Sequence, residues 1–195
     1  MLKLAAFLGN PGAGYAQNRH NAGRLLAKAL PFYPSLSWQK KFKGLYASYD
    51  GYHFLMPETF MNLSGESVQA VAAFFKIDKE EIIIIHDELE LPLGTISLKF
   101  SGGLGGHNGL RSMKDCFGSA DFWRLRVGIG RPVNDGVVYD WVLSDFSRNE
   151  HELLIPALDA GANLLMQVFA EEPENLLKEW AKKKILIPKQ ETEQQ

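Results

Sequence analysis

The chain has 195 residues, of which 46% are hydrophobic and 23% charged, with a formal net charge of −2 at pH 7. This is an ordinary globular composition, and the length suits one domain with a sizeable core. No run reaches the roughly 20 apolar residues of a membrane span, and the apolar stretch near the N-terminus is too short for a secretory signal. We therefore expect a cytoplasmic protein without a membrane partner.

The charge balance limits the class of partner. The sequence pI is about 6.2, whereas a dedicated non-specific nucleic-acid binder is usually basic. A polyanionic partner would thus require a local basic patch. The single cysteine, Cys116, excludes an intrachain disulfide and a metal site built on paired cysteines, and its apolar helical setting is typical of packing rather than chemistry.

Strand and helix patterns alternate along the chain. Apolar runs and period-two alternation predict strands, and apolar residues at spacings of three and four predict helices. The predicted strands are 2–8, 45–49, 52–56, 82–85, 95–99 and 123–129; the predicted helices are 22–29, 68–75, 110–117, 149–170 and a tail helix from Pro173 to the lysines 182–184.

Three of these elements carry more specific expectations. Asp50-Gly51, between two strands, is typical of a two-residue hairpin turn. The β-branched run 82–85 has no polar face, which predicts a strand buried on both sides. Arg124 and Arg126 alternate with apolar residues and predict a strand with one exposed face. The pattern indicates one α/β domain with a mixed sheet, and the polar residues from about 186 to 195 are expected to fray.

The first candidate for chemistry is His20, in a stretch rich in glycine and asparagine. Asn18 is a good N-cap for the helix 22–29, which places His20 in the first helical turn. The positive end of the helix dipole disfavours the imidazolium form there. A neutral imidazole suits a general base. A histidine that only hydrogen-bonds the loop is an equally good interpretation.

His86-Asp87-Glu88 directly follows the buried strand 82–85. In open α/β sheets, ligand crevices form at the carboxyl ends of strands. An aspartate there can accept an imidazole N–H, fix the tautomer and raise the basicity of the other nitrogen. Because side chains alternate along a strand, we expect His86 and Asp87 not to face one crevice together. No motif supports a metal site at these residues, and a solvated acidic turn is the main alternative.

Two further loops precede helices. The glycines of 101–109 let a backbone come close to a ligand, but the segment is neither a P-loop nor a complete dinucleotide fingerprint, since Asn108 replaces the third glycine. His107-Asn108 echoes His20-Asn21 at a helix start. In the other loop, Asn62 or Ser64 can cap the next helix, and Ser64 lacks the elbow motif of a serine nucleophile.

Three asparagines lie in three different loops: Asn10, Asn62 and Asn108. An amide offers a donor and an acceptor without charge. Three amides around a neutral histidine would suit an uncharged polar backbone. The sequence therefore favours a peptide, or an ester next to one, as the ligand.

These loops belong to seven segments: LGNPG (8–12), Tyr15, RHNAG (19–23), TFMNLSG (59–65), HDELELP (86–92), GGLGGHNGLRS (102–112) and RLRVGIGRP (124–132). Together and in this order they closely resemble bacterial peptidyl-tRNA hydrolase. The resemblance implies a single domain over 1–195 with a twisted mixed sheet surrounded by helices. It also implies a metal-free and cofactor-free esterase that cleaves the ester between peptide and 3′ ribose in peptidyl-tRNA released from ribosomes.

The resemblance also implies roles for individual residues. His20 would be the base that activates water, Asp87 would hold and polarise it, and Asn10 would grip the peptide and ester region with Asn62. The remaining substrate-binding set would be Tyr15, Phe60, Met61, Gly105 and Asn108 at the peptide or the tRNA 3′ end, and Lys99 and Arg126 at tRNA phosphates of the acceptor stem.

The chain departs from the family pattern at Asn18, where threonine is usual, and at Glu90 and Leu93, where aspartate and proline are usual. We expect a monomer, with the C-terminal helix on the tRNA side. Two other function classes stay open. One is a non-catalytic RNA-binding module of the same fold, and the other is a hydrolase of small esters or peptides.

Overall fold

The computed structural model describes residues 1–133 and 137–185. Within these residues the chain forms eight strands and six α-helices, joined by short 3-10 turns. The strands are β1 (Leu4–Phe7), β2 (Gln39–Lys41), β3 (Gly44–Tyr49), β4 (Tyr52–Pro57), β5 (Ile82–Glu88), β6 (Thr95–Phe100), β7 (Trp123–Gly128) and β8 (Lys183–Lys184); the helices are α1 (Ala22–Lys28), α2 (Ser64–Phe75), α3 (Asn108–Phe117), α4 (Val138–Val142), α5 (Arg148–Ala170) and α6 (Pro173–Trp180).

The strands form one sheet in the order β2-β3-β4-β1-β5-β7-β6-β8. The four central strands are parallel, and the pairs on either side of them are antiparallel. The predicted mixed sheet of a single α/β domain is therefore confirmed. Because the central strands are parallel, their carboxyl ends meet at one edge of the sheet, which is where a ligand crevice is expected.

Helices cover both faces of the sheet. The side chains of Ile83 and Ile85 join the core beneath α1, α5 and α6, and those of Ile82 and Ile84 join the core beneath α2 and α3. All four side chains are fully buried. The prediction that β5 is buried on both faces is confirmed. On the first face α1 lies so close that a Cβ on Gly23 would come within 2.5 Å of the Ile85 carbonyl oxygen.

The hairpin is confirmed, and three elements were not predicted. Asp50 and Gly51 take left-handed φ angles of 51° and 81° between β3 and β4. The edge strand β2 consists of three exposed polar residues, and α4 has only five residues, so neither carries a periodic pattern. Lys183–Lys184, predicted to end the tail helix, forms β8 through backbone pairing with β6.

The prediction of an exposed arginine face on β7 is wrong. Arg124 is only 2% exposed. Its guanidinium donates to the carbonyl oxygens of Gly103 at 2.7 Å and Gly102 at 2.9 Å. A buried arginine needs such partners, and these two carbonyls belong to the glycine-rich loop before α3. The face therefore anchors that loop.

Contrary to the expectation that no segment could span a membrane, helix α5 is long and apolar enough to do so by length and composition alone. Half of the apolar window is buried, and Leu154, Leu158 and Leu165 pack in the core on the sheet. A core helix that packs against a sheet can reach the same length and apolar composition without crossing a membrane. The tail predicted to fray, 186–195, lies outside the described residues.

Candidate active site

A cavity of about 890 Å³ opens at the carboxyl ends of the central strands. Its walls come from the turns after β1 and before α1 and α2, from the end of β5, from the glycine-rich loop and the start of α3, and from α4. Nine of the eleven residues to which the resemblance assigns roles line it, namely Asn10, Tyr15, His20, Phe60, Met61, Asn62, Asp87, Gly105 and Asn108.

His20 lies in a 3-10 turn, Arg19–Asn21, and is 8% exposed. Its Nδ1 is 3.0 Å from each carboxylate oxygen of Asp87. Helix α1 begins only at Ala22, so His20 precedes the α-helix instead of occupying its first turn. The amide of Asn18 donates to the Leu143 carbonyl oxygen at 3.4 Å and makes no cap hydrogen bond. The predicted capping role of Asn18 is therefore wrong.

The electrostatics of His20 also differ from the helix-dipole expectation. Burial lowers the pKa of the imidazole, but the charge of Asp87 and the hydrogen bond to it outweigh burial, and the pKa is raised above its ordinary value. The Asp87 carboxylate, and not the helix dipole, sets the direction in which the pKa of His20 is shifted. The arrangement makes His20 a stronger base.

Asp87 lies at the end of β5 and is 3% exposed, so the alternative of a solvated acidic turn is wrong. Burial alone would raise the pKa of its carboxyl group. The attraction between the carboxylate and the rings of His20 and His107, together with the hydrogen bonds from both rings, outweighs burial and holds the pKa well below its ordinary value. Asp87 is therefore an ionised carboxylate that accepts from two histidines.

The second of these histidines, His107, was not among the predicted site residues. Its Nδ1 accepts the backbone N–H groups of Gly109 at 3.1 Å and Leu110 at 3.4 Å, which caps α3. A neutral ring that accepts at Nδ1 carries its proton on Nε2. That nitrogen lies 2.9 Å from Asp87 Oδ1 and donates to it. The repeated His-Asn pair was the available signal in the sequence.

The ring nitrogens of His20 and His107 and a carboxylate oxygen of Asp87 lie within 4.8 Å of one another, a spacing that a metal ion can use. The hydrogen bonds disfavour this use. Because Nδ1 of His107 caps α3, a metal at Nε2 would require an imidazolate or the loss of the cap. The donor set fits a hydrogen-bond network better than a metal site.

His86 lines the same cavity as Asp87, so the expectation that they would not share one crevice is wrong. Its Nδ1 donates to the Asp87 carbonyl oxygen at 2.7 Å, and its ring lies edge-on to that of His107. Burial lowers the pKa of His86 well below its ordinary value. His86 is thus a neutral side chain beneath the cluster.

Asn10 is held in place through both its side chain and its backbone. Its Oδ1 accepts the Met61 N–H at 2.8 Å. The Asn21 side chain accepts the Asn10 N–H at 2.9 Å and donates to the Asn10 carbonyl oxygen at 3.0 Å. Asn21, whose role the sequence left open, therefore holds the Asn10 backbone. Because the amide oxygen is occupied, the amino group of Asn10 is the part left for a ligand.

Asn62 and Asn108 lie exposed at the rim of the cavity. Neither Asn62 nor Ser64 caps α2, because the helix has no side-chain cap and the Ser64 hydroxyl donates to the Met61 carbonyl oxygen at 2.9 Å. Asn62 is thus available to a ligand and does not serve the helix.

The site thus combines a buried His–Asp pair with three side-chain amides at the carboxyl edge of a mixed sheet, and all of these residues belong to the sequence motifs. A sequence profile of the family described as Peptidyl-tRNA hydrolase matches residues 4–187. The chain belongs to the peptidyl-tRNA hydrolase family.

Curated relatives and solved structures agree with this assignment. The chain is 44% identical to the peptidyl-tRNA hydrolase of Treponema pallidum (strain Nichols) over 198 residues, covering 95% of this chain and 97% of that one. It is 43% identical to the enzyme of Coxiella burnetii (strain CbuG_Q212) over 180 residues, covering 91% and 96%. The crystal structure of peptidyl-tRNA hydrolase from Acinetobacter baumannii superposes with a TM-score of 0.77 at 36% identity, covering 92% and 96%.

The two basic residues that the peptidyl-tRNA hydrolase resemblance assigns to phosphates lie outside the cavity lining. In the register of β6 and β7, Lys99 lies opposite Arg124 and Ser97 lies opposite Arg126. Lys99 and Arg126 are therefore diagonal neighbours on one face of the sheet. The Arg126 side chain is 13% exposed and donates to Ser97 Oγ at 2.7 Å and to Glu88 at 3.4 Å. The sheet places the two cations near each other, but the guanidinium of Arg126 already forms an ion pair with Glu88.

Proposed function

We propose that this chain hydrolyses the ester bond between the peptide and the 3′ end of tRNA in peptidyl-tRNA, with water activated by His20. The observation that carries the proposal is the contact between His20 Nδ1 and both oxygens of Asp87, at 3.0 Å each, in a cavity lined by three asparagines. An ionised carboxylate accepts hydrogen bonds and donates none, so His20 bears its proton on Nδ1.

This tautomer leaves the Nε2 lone pair of His20 free to take a proton from water. The resulting hydroxide attacks the ester carbonyl carbon, and amide donors stabilise the negative charge that develops on the carbonyl oxygen. The bond to the 3′ oxygen of the tRNA then breaks, and that oxygen receives the proton from His20. The products are a tRNA with its 3′ hydroxyl and a free peptide, whose new carboxylic acid group releases its proton to water and becomes a carboxylate.

Direct attack by water is favoured over an acyl-enzyme. Ser112 is the one serine among the described residues that line the cavity, and its hydroxyl accepts the Gly65 N–H at 2.9 Å from α2. An activated nucleophile requires an adjacent base. Among the described residues, neither ring nitrogen of His20 forms a hydrogen bond with Ser112.

Asn10 gives the proposal a basis for selecting peptidyl esters over aminoacyl esters. With its amide oxygen bound to the Met61 N–H, Asn10 presents N–H donors. These donors match a peptide carbonyl oxygen. A free α-ammonium offers only donors and a charge, and would be rejected.

The test is turnover of an N-acetylated aminoacyl-tRNA against the same aminoacyl-tRNA with a free amine. We expect hydrolysis of the acetylated compound and much slower hydrolysis of the free amine. Binding of the tRNA without turnover would indicate the RNA-binding module. Equal cleavage of a small N-acetylated amino-acid ester that lacks tRNA would indicate a general esterase, and either result would overturn the proposal.

The substrate's phosphates supply a further prediction, made at Lys99. Because each phosphate contact releases counterions, replacing Lys99 by alanine should weaken tRNA binding and reduce the slope of log K against log salt concentration by about 1. Replacing Arg126 as well should flatten the slope further. The measurement is a filter-binding titration at several salt concentrations.

Lys28 provides the matched control, since it lies exposed at the end of α1, on the opposite face of the sheet. Its replacement by alanine should leave the salt slope unchanged. A slope that is unaltered in the Lys99 variant would remove this face from the phosphate contact.

We also propose the partner, the oligomeric state and the location for this reaction. The acceptor stem and 3′ end of peptidyl-tRNA are the proposed partners, and the chain is proposed to act as a monomer in the cytoplasm without a cofactor. The two cations on the β6–β7 face and the uncharged amides in the cavity support a substrate with one polyanionic part and one peptide part.

A further inference from the structure

We infer that Arg19, which directly precedes the proposed base, is a positioning residue that holds one wall of the cavity against the turn that carries His20. The inference rests on the proposed function for its kinetic part. The Arg19 side chain is only 5% exposed. Because a buried charge is costly unless it is paired, the partners of this guanidinium show which elements it holds together.

The guanidinium of Arg19 meets three separate elements. Its Nη2 donates to both carboxylate oxygens of Glu150, at 2.8 Å each, in the first turn of α5. Its Nη1 donates to the carbonyl oxygen and hydroxyl of Ser144 and to the carbonyl oxygen of Asp145, at 2.6 to 3.2 Å. Its Cζ lies 3.7 Å from the ring centroid of Trp141 in α4. We call Arg19, Trp141, Ser144 and Glu150 the Arg19 cluster.

The backbone of the His20 turn is paired with the same segment. The Arg19 N–H donates to the Ser144 carbonyl oxygen at 3.0 Å, and Asn18 forms an isolated β-bridge with Asp145. The Asn18 amide donates to the Leu143 carbonyl oxygen. Because His20 is the next residue in the chain, its backbone position is tied to residues 143–145.

The held segment is a wall of the cavity. Val138, Tyr139, Val142 and Leu143 line it, and Val138 and Tyr139 are exposed there. Trp141 Nε1 also donates to the Gly130 carbonyl oxygen at 2.8 Å. Helix α4 is therefore held between Gly130 and Arg19, and Arg19 is the attachment that also reaches the base.

The contacts separate the effect of Arg19 on binding from any effect on proton transfer. Asp87, at the end of β5, holds the His20 ring, and His107, at the start of α3, holds Asp87. Neither belongs to the Arg19 cluster. Loss of Arg19 should therefore displace the apolar wall that contacts the substrate while the His20–Asp87 pair stays intact. KM should change, and kcat and its pH dependence should not.

The test compares Arg19→Met with Arg19→Lys on an N-acetylated aminoacyl-tRNA. We expect Arg19→Met to raise KM by about tenfold, the scale of a lost cation–π contact and ion pair, with kcat within about twofold of the original. Arg19→Lys keeps the charge but not the bidentate geometry, so it should restore only part of the affinity. The acid limb of the pH–rate profile should not move.

A second readout needs no substrate. Amide hydrogen exchange of residues 138–145 in the free protein should accelerate in Arg19→Met, while exchange in β5 stays unchanged. This measurement distinguishes failure of the inference from failure of the proposed function, because it reports on the wall even if the chain hydrolyses no peptidyl-tRNA. If Arg19→Met does not fold, Glu150→Gln takes its place with the same readouts.

The chain offers a matched control for helix capping. Ser147 and Glu150 form the capping box of α5, and Glu150→Gln keeps a capping acceptor while removing the carboxylate. Ser147→Ala removes the cap and leaves the Arg19 contacts in place. Three results would overturn the inference: an equal KM effect in Ser147→Ala, a fall in kcat at constant KM in Arg19→Met, or unchanged exchange in residues 138–145.

Discussion

Replacing His20 by alanine is expected to lower kcat on N-acetylated aminoacyl-tRNA by about 10²–10⁴-fold, the usual contribution of a positioned general base. The tRNA affinity should change little, because His20 is nearly buried inside the cavity while the proposed phosphate contacts lie on the β6–β7 face. Single-turnover cleavage with saturating enzyme measures the first quantity, and filter binding measures the second.

His53 provides the control for this experiment. It lies in β4, hydrogen-bonds the Tyr46 hydroxyl at 2.7 Å and does not line the cavity. His53→Ala should retain the original rate of cleavage. If the His20 variant cleaves within a few-fold of the original rate, the proton acceptor is another group and the mechanism is wrong.

Asp87→Asn is expected to have the second large effect. An asparagine carries no charge and replaces one acceptor oxygen by a donor amino group, so the tautomer of His20 is no longer fixed. We expect kcat to fall by about 10²-fold or more, as in other enzymes that lose a carboxylate behind a catalytic histidine.

The pH dependence of the Asp87 variant has a definite sign. The carboxylate raises the pKa of His20, and the acid limb of kcat/KM reports the pKa of the base in the free enzyme. Removing the charge lowers the pKa of His20, so the acid limb of the remaining activity should move to lower pH. An unmoved limb would mean that Asp87 does not act on the base. A pH–rate series from both proteins measures the shift.

The central strands and most helices could be predicted because burial alone imposes their patterns. The apolar run at 82–85 and the spaced apolar residues of α2, α3 and α5 carry a strong local signal. The short elements β2, β8 and α4 carry none, since they are held by backbone pairing or by distant side chains. Sheet order and the buried environment of Arg124 likewise depend on contacts far apart in sequence.

The site shows the same division. The pairing of His20 with Asp87 was within reach, because one follows a turn and the other ends a strand at the edge where ligands bind. The sequence assigned the wrong physical cause, since the carboxylate and not the helix dipole controls the imidazole. His107 and Arg19 were missed because their roles depend on groups 20 and 131 residues away in the chain.

The account depends most on the proton of His20, and nitrogen NMR of protein labelled with ¹⁵N-histidine observes it directly. We predict that the neutral His20 ring carries its proton on Nδ1, that its pKa lies above the ordinary histidine value, and that both properties are lost in Asp87→Asn. A neutral ring with its proton on Nε2 would leave no lone pair facing the water, and would contradict the proposed mechanism.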